Sequence, residues 1–270
     1  MILLNGTKLV FKLFPNGETL VDGDQILALA ADFNKVAFKY ENDSDLIKLM
    51  FIKNYLDDRN LKAALIIYYM PYSRMDRVEG SSVFTLKYVA NFINSLSFEK
   101  VTLIEPHSDV SLALINKSTA KYPSIELLIR VIAETGFNIE QDYLFFPDAG
   151  AQKRYSKVKG YKQLVGFKVR DFQTGEIKKL DIVGHVDHKN FKVIIVDDLC
   201  SYGGTFMMSA EKLKEAGADK VYLLVGHCEK SIYKGKILET DLIDQVFTTN
   251  TMLEESEHKK IHIYEIGGIK

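Results

Sequence analysis

Short apolar runs recur along the chain at strand length: KVAFKY, AALIIYY, KVTLIEP, DYLFFPD, FKVIIVDD, KVYLLVGH, QVFTTNT and IHIYEI. Most are near-continuous in Val, Ile, Leu and aromatic residues. That is the pattern of strands covered on both faces, as in parallel sheets. Between them the apolar positions fall at helical spacing. SDLIKLMFIKNYLDD sets Leu46, Leu49, Met50 and Tyr55 on one face, and VFTLKYVANFINSL does the same with Phe84, Tyr88, Phe92 and Leu96. SAEKLKEAGAD closes on Gly217, a natural helix terminator. The opening MILLNGTKLVFKLF reads as a first strand. Alternating strands and helices predict an α/β protein with mainly parallel sheets flanked by helices. The pattern runs through two comparable halves with a boundary near Lys121 to Ile125. We expect one domain over residues 1–125 and a second over 126–254. Residues 255–270 carry the last strand, which is open to joining either half.

Composition narrows the function classes. A formal net charge of −1 gives no global attraction to nucleic acid or to an anionic membrane. No apolar run reaches the length of a membrane span, and the N-terminal residues lack the pattern of a signal peptide. The cysteines are Cys200 and Cys228, with no Cys-x-x-Cys, so neither a zinc ribbon nor a disulfide framework is suggested. Free thiols and a cytoplasmic location are the expectation.

The stretch VIIVDDLCSYGGTF, Val193 to Phe206, carries the clearest chemistry. A buried-type strand ends in Asp197 and Asp198, and ligands of open α/β sheets bind beyond the carboxyl ends of strands. Ser201, Tyr202, Gly203, Gly204 and Thr205 then lead into a helix. Glycines let backbone N–H groups approach an anion, and a helix N-terminus favours negative charge. Two carboxylates do not serve a phosphate, but they suit the hydroxyls of a sugar that bears one. On spacing alone, a tight strand-to-helix turn with two exposed aspartates remains open.

The whole stretch resembles the phosphoribosyl pyrophosphate (PRPP) motif of type I phosphoribosyltransferases and PRPP synthetases. The remaining motifs favour the second group. KLFPNGET, YYMPYSRMDR, KYVANFI, IEPHSDVSLALI, FFPDAGAQKR and FTTNT are similar, in that order, to segments of the ribose-phosphate pyrophosphokinases. Simple phosphoribosyltransferases lack the N-terminal series. The resemblance implies two tandem type I phosphoribosyltransferase-like domains. It also implies transfer of the β,γ-diphosphoryl group of ATP to the 1-hydroxyl of ribose 5-phosphate, giving PRPP and AMP. By the same resemblance, Asp197 and Asp198 hold the sugar hydroxyls and Ser201 to Thr205 hold the 5-phosphate. Phe14, Asn16 and Glu18 contact adenine from a neighbouring subunit, so a homodimer or larger homo-oligomer is implied. Pro15-Asn16-Gly17 is also a strong turn signal. Arg74, Asp76 and His107 fall at the next nucleotide positions, and His107 with Asp148 at the positions that set Mg2+. Lys168 and Arg170 match the catalytic pair on a mobile loop, with His107 beside them in the catalytic set.

The chain departs from that pattern at several points. Met75 replaces a usual Gln, Ser201-Tyr202 a common Asp-Thr, and Glu105-Pro106 an Asp-Leu. After Arg77, a basic stretch tied to phosphate and ADP regulation gives way to VEGSSVFT, which brings in Glu79. Weak or absent phosphate activation is the expectation. The alternatives are a transferase that consumes PRPP and a catalytically silent synthetase-like subunit.

Overall fold

In the computed structural model, residues 1–170 and 177–268 are described, apart from the side chains of 168–170, 177–179 and 268. The chain divides into two compact units, Met1–Lys121 and Tyr122–Lys270.

The first unit runs β1 (Ile2–Leu4), β2 (Thr7–Lys8), β3 (Lys12–Leu13), β4 (Thr19–Leu20), α1 (Gly23–Leu29), β5 (Phe33–Phe38), α2 (Ser44–Asp57), β6 (Lys62–Ile67), α3 (Thr85–Ser95), β7 (Val101–Ile104), α4 (Asp109–Leu114) and β8 (Ser118–Lys121). Its six-stranded sheet has the order β2-β1-β5-β6-β7-β8. Strands β5 to β8 are parallel, and β1 and β2 close the edge antiparallel. The opening stretch therefore forms a hairpin where one strand was expected. Asn5 and Gly6, both at positive φ, make its turn. Strands β3 and β4 form a separate two-stranded hairpin.

Helix α3 departs from its expected face at Tyr88 alone, since Phe84 and Phe92 pack on the core and Leu96 is buried in it. Leu86, Ala90 and Ile93 are the residues it buries, whereas Tyr88 is 61% exposed. That core joins Val36, Phe38, Leu65, Ile67 and Leu103 of the strands to Leu49, Ile52 and Leu56 of α2. Each such side chain contributes about 1.5–3 kcal/mol on burial.

The second unit runs α5 (Pro123–Glu134), β9 (Tyr143–Phe146), α6 (Ala149–Arg154), β10 (Lys162–Arg170), β11 (Ile177–Val183), β12 (Phe191–Cys200), α7 (Gly204–Ala216), β13 (Ala218–Cys228), β14 (Gln245–Thr249) and β15 (Ile261–Tyr264). The sheet order is β11-β10-β9-β12-β13-β14-β15, parallel except for the edge strand β11. The last strand, left open by the sequence, pairs with β14 here.

The central strand β12 explains its own composition. Phe191, Val193 and Ile195 pack with Phe206, Ala210 and Leu213 of α7. Ile194 and Val196 pack on the opposite face with Leu127, Leu128 and Val131 of α5. A strand covered on both sides reads as a continuous apolar run. Helix α7 ends at Gly217 with φ 110, a conformation that favours glycine.

Candidate active site

In the second unit, β12 carries Asp197 and Asp198 to the carboxyl edge of the sheet. Strand alternation sends successive side chains to opposite faces. Asp198 therefore turns toward α6, where Arg154 Nη2 lies 3.5 Å from its Oδ2. The Asp198 backbone N–H donates to Asp197 Oδ1 at 2.9 Å. The buried Tyr155 hydroxyl donates to the Asp197 carbonyl at 3.1 Å and lies 3.0 Å from Ser124 Oγ. Asp148 caps α6, its Oδ1 accepting from the Ala151 N–H at 3.0 Å. Burial, then the charge of Asp198, then that of Asp148 push the Asp197 carboxyl well above the usual carboxylate range. Three carboxylates thus share one strand-end region with Arg154 as a counter-charge. Arg154 and Tyr155 were missed by sequence reasoning. The signal was the basic end of FFPDAGAQKR, which gives no partner by itself.

Strand β12 continues to Cys200, two residues past the acidic pair, because Leu199 and Cys200 pair with His227 and Cys228 of β13. Both thiols are free and buried. The turn Ser201–Gly203 follows. Gly203 has φ 84, and a Cβ there would overlap Ile237, so two constraints require glycine. Gly204 opens α7, and a Cβ there would meet nothing within 4 Å. The protein's own packing does not demand that glycine. The open space lies at the N–H groups of a 13-residue helix. Tyr202 is 59% exposed, so its bulk does not fill the loop. Ser201 Oγ donates its one proton to Glu229 Oε2 at 2.7 Å. As the loop stands, that proton is not directed at a phosphate.

Lys168 and Arg170, expected on a loop, lie on β10 by backbone, with register partners Leu180 and Ile177 and a bulge between. Pairing with β9 and β11 is what makes this stretch a strand. The two side chains, and residues 171–176 beyond them, lie outside the described residues.

In the first unit, the loop after β6 contains Tyr72 at φ 62, its hydroxyl donating to Asp43 Oδ1 at 2.6 Å. Tyr40 donates to the same oxygen at 2.7 Å. Beyond this clamp Arg74 is exposed and Asp76 is buried. Burial opposes ionisation of Asp76, but Ser108, the Arg77 guanidinium and His107 together hold its carboxyl below the ordinary range. Asp76 and His107, far apart in sequence, are therefore neighbours at the ends of β6 and β7. Glu105, two residues before His107, is buried and at φ 46, an uncommon conformation for a residue with a Cβ. Arg77 Nε is 2.9 Å from Asp76 Oδ1 and 3.7 Å from Glu79 Oε1. Phe14, Asn16 and Glu18 lie on the β3–β4 hairpin. Its turn is closed by Phe14 N–H to Glu18 O and Gly17 N–H to Phe14 O, both 2.8 Å. Phe14 is 50% exposed.

A family model described as a phosphoribosyl synthetase-associated domain matches residues 147–269, the span from Asp148 through the acidic pair and the loop. The ribose-phosphate pyrophosphokinase of Sulfolobus acidocaldarius is 29% identical, the match covering 96% of this chain and 89% of that protein. That of Thermococcus kodakarensis is 25% identical over 89% of this chain and 84% of its own length. Over most of its length the chain is similar to these ribose-phosphate pyrophosphokinases. A crystal structure of phosphoribosylpyrophosphate synthetase from Mycobacterium smegmatis shares the fold, with a TM-score of 0.74 and 18% identity over 96% of this chain and 86% of that one.

Ribose-phosphate pyrophosphokinase relatives match both units, so the nucleotide-side segments of the first unit are as much a part of the relationship as the β12 loop. The residues were also tested against the Mg2+ that the resemblance implies. Among the described residues, no three His, Cys, Asp or Glu side chains are grouped to hold a metal by themselves. Magnesium keeps several waters and takes few protein ligands when phosphates accompany it. The mutually repelling oxygens of Asp148, Asp197 and Asp198 are the donor chemistry such a hard cation takes. The residues present therefore fit the ion. His107, a nitrogen donor, belongs to the first unit. No described helix is long and apolar enough to cross a membrane.

Proposed function

We propose that the protein is a ribose-phosphate diphosphokinase. In this reading the 1-hydroxyl oxygen of ribose 5-phosphate bonds to the β-phosphorus of ATP. The bond from that phosphorus to the α,β-bridging oxygen breaks, and AMP leaves with the oxygen. The observation that carries the reading is the acidic pair on β12 running directly into the glycine-bearing start of α7. One side suits sugar hydroxyls and the other the 5-phosphate.

Asp197 and Asp198 accept the sugar hydroxyls, with Arg154 holding Asp198 in place. Backbone N–H groups from Tyr202 to Thr205 hold the phosphate, and the Thr205 hydroxyl adds a donor. Asp76, Arg74 and His107 act on the nucleotide side. Arg74 suits phosphate oxygens bidentately. Magnesium, bound with the nucleotide phosphates, would neutralise charge on the transferring group, and Asp148 would offer it an oxygen ligand. Lys168 and Arg170 add positive charge where the transition state gathers negative charge. We further infer a homo-oligomer, in which the exposed Phe14 stacks on the adenine of a neighbouring copy with Asn16 and Glu18 beside it. Light scattering of the purified protein checks that state. The location that fits this chemistry is cytoplasmic.

The sugar assignment is tested by calorimetry with two ligands. Asp198→Asn is expected to weaken ribose 5-phosphate binding about tenfold or more, because buried hydroxyl recognition is lost. Binding of inorganic phosphate should not weaken. An equal loss for both ligands would remove the pair from sugar recognition.

A further inference from the structure

No motif marks the segment after β13, yet that segment braces the loop that the proposed function uses. Cys200 and Cys228 are register partners, so the residues that follow each leave the sheet side by side. Glu229 N–H donates to the Cys200 carbonyl at 2.8 Å. Its carboxylate oxygen Oε2 accepts from Ser201 Oγ at 2.7 Å and from Ser231 Oγ at 2.9 Å. The two hydroxyl oxygens are 3.1 Å apart, which closes a three-membered polar cluster. Farther along, a Cβ on Gly235 would overlap the Tyr202 carbonyl oxygen, and Ile237 fills the space beside Gly203. The stretch from Glu229 to Ile237 thus touches each residue from Cys200 to Gly203.

We propose that Glu229 is a positioning residue for the sugar-phosphate loop, its carboxylate fixing Ser201 so that the N–H groups from Tyr202 onward are set for the 5-phosphate. The proposal rests on the reading that this loop binds the phosphate of ribose 5-phosphate. A charged acceptor makes a stronger hydrogen bond than a neutral one, and here one carboxylate oxygen takes two. An anion held by backbone N–H groups depends on the direction of those groups, so a loop fixed beforehand loses less freedom on binding. Ser201 is then a strut for the loop, and the phosphate contacts fall to the backbone and Thr205.

The sign of the effect separates this role from simple electrostatics. Removing a negative charge near an anion site would by itself tighten phosphate binding, in Glu229→Ala and Glu229→Gln alike. A positioning role predicts loss in Glu229→Ala and rescue in Glu229→Gln, which keeps an acceptor oxygen. The test is steady-state kinetics together with calorimetric binding of ribose 5-phosphate to the full-length protein. We expect Glu229→Ala to raise KM and Kd for ribose 5-phosphate about tenfold, the scale of a lost charge-assisted hydrogen bond. KM for ATP and kcat should stay within about twofold, and Glu229→Gln should stay within about threefold of the parent throughout. Ser231→Ala, which keeps the carboxylate but removes its second donor, should give a smaller loss in the same parameter. It also serves if Glu229→Ala does not fold.

Unchanged or tighter ribose 5-phosphate binding in Glu229→Ala overturns the proposal. So does a loss shared equally with ATP, or a fall in thermal stability alone. If the parent binds ribose 5-phosphate but forms no PRPP, the reaction assigned above fails, and the Kd pattern still decides the role of Glu229. A parent that does not bind ribose 5-phosphate overturns both.

Discussion

Asp197 is where stability and function oppose each other. Its pKa is raised by burial and by the charges of Asp198 and Asp148, so at neutral pH the ionised form costs the fold free energy. For a group whose folded pKa lies above its unfolded value, the stabilising contribution is complete below about pH 4. It is lost as pH rises through the folded pKa. Asp197→Asn should therefore raise the Tm by a few degrees at pH 7–8, with the gain shrinking toward pH 4, while activity falls by orders of magnitude. Differential scanning calorimetry across that range checks it, and a lower Tm at every pH would contradict the stated cause. The acidic pair itself was legible as the end of an apolar run at the carboxyl edge of a sheet. Its partners were not. Arg154 meets Asp198 across 44 positions, and Glu229 meets Ser201 across 28, separations that no local period reports.

Among elements, those with strong periodicity were read correctly in kind, and the errors fall where a distant partner decides. β12 runs on to Cys200 because β13 offers it a pairing edge, a length not encoded in VIIVDD. Lys168 and Arg170 were expected on a loop, whereas pairing with the edge strand β11 draws their backbone into β10. The hairpin setting still suits two cations that act on the transition state and then release product. Lys168→Ala is expected to lower kcat about 10²–10³-fold, the scale of one lost transition-state donor, with ribose 5-phosphate affinity nearly unchanged. Single-turnover rates with a separate binding measurement would show it, and an unaltered kcat would take the strand out of catalysis. The loop after β6 carries a second expectation. Arg77 is held between Asp76 and Glu79, so its charge is already answered before any anion arrives. Initial rates should respond little to phosphate from zero to tens of millimolar, and saturating ATP should relieve ADP inhibition. Strong phosphate activation would point to an anion site built from other residues.

At the scale of the whole molecule, the two-part α/β organisation was legible from the alternation of strand and helix. The division into compact units lies at Lys121/Tyr122. The last strand could not be allotted from sequence, since a short apolar run fits either sheet edge, and pairing with β14 allots it. The proposed nucleotide-side residues Asp76 and His107 belong to the first unit, and the proposed sugar-phosphate residues Asp148, Asp197, Asp198 and the α7 loop to the second. The measurement that tests the central claim most directly is product analysis after purified protein is incubated with ATP, magnesium and ribose 5-phosphate. The account predicts AMP and PRPP in equal amounts, appearing together and only when the sugar phosphate is present. Formation of ADP, AMP released without PRPP, or no turnover at all would contradict it.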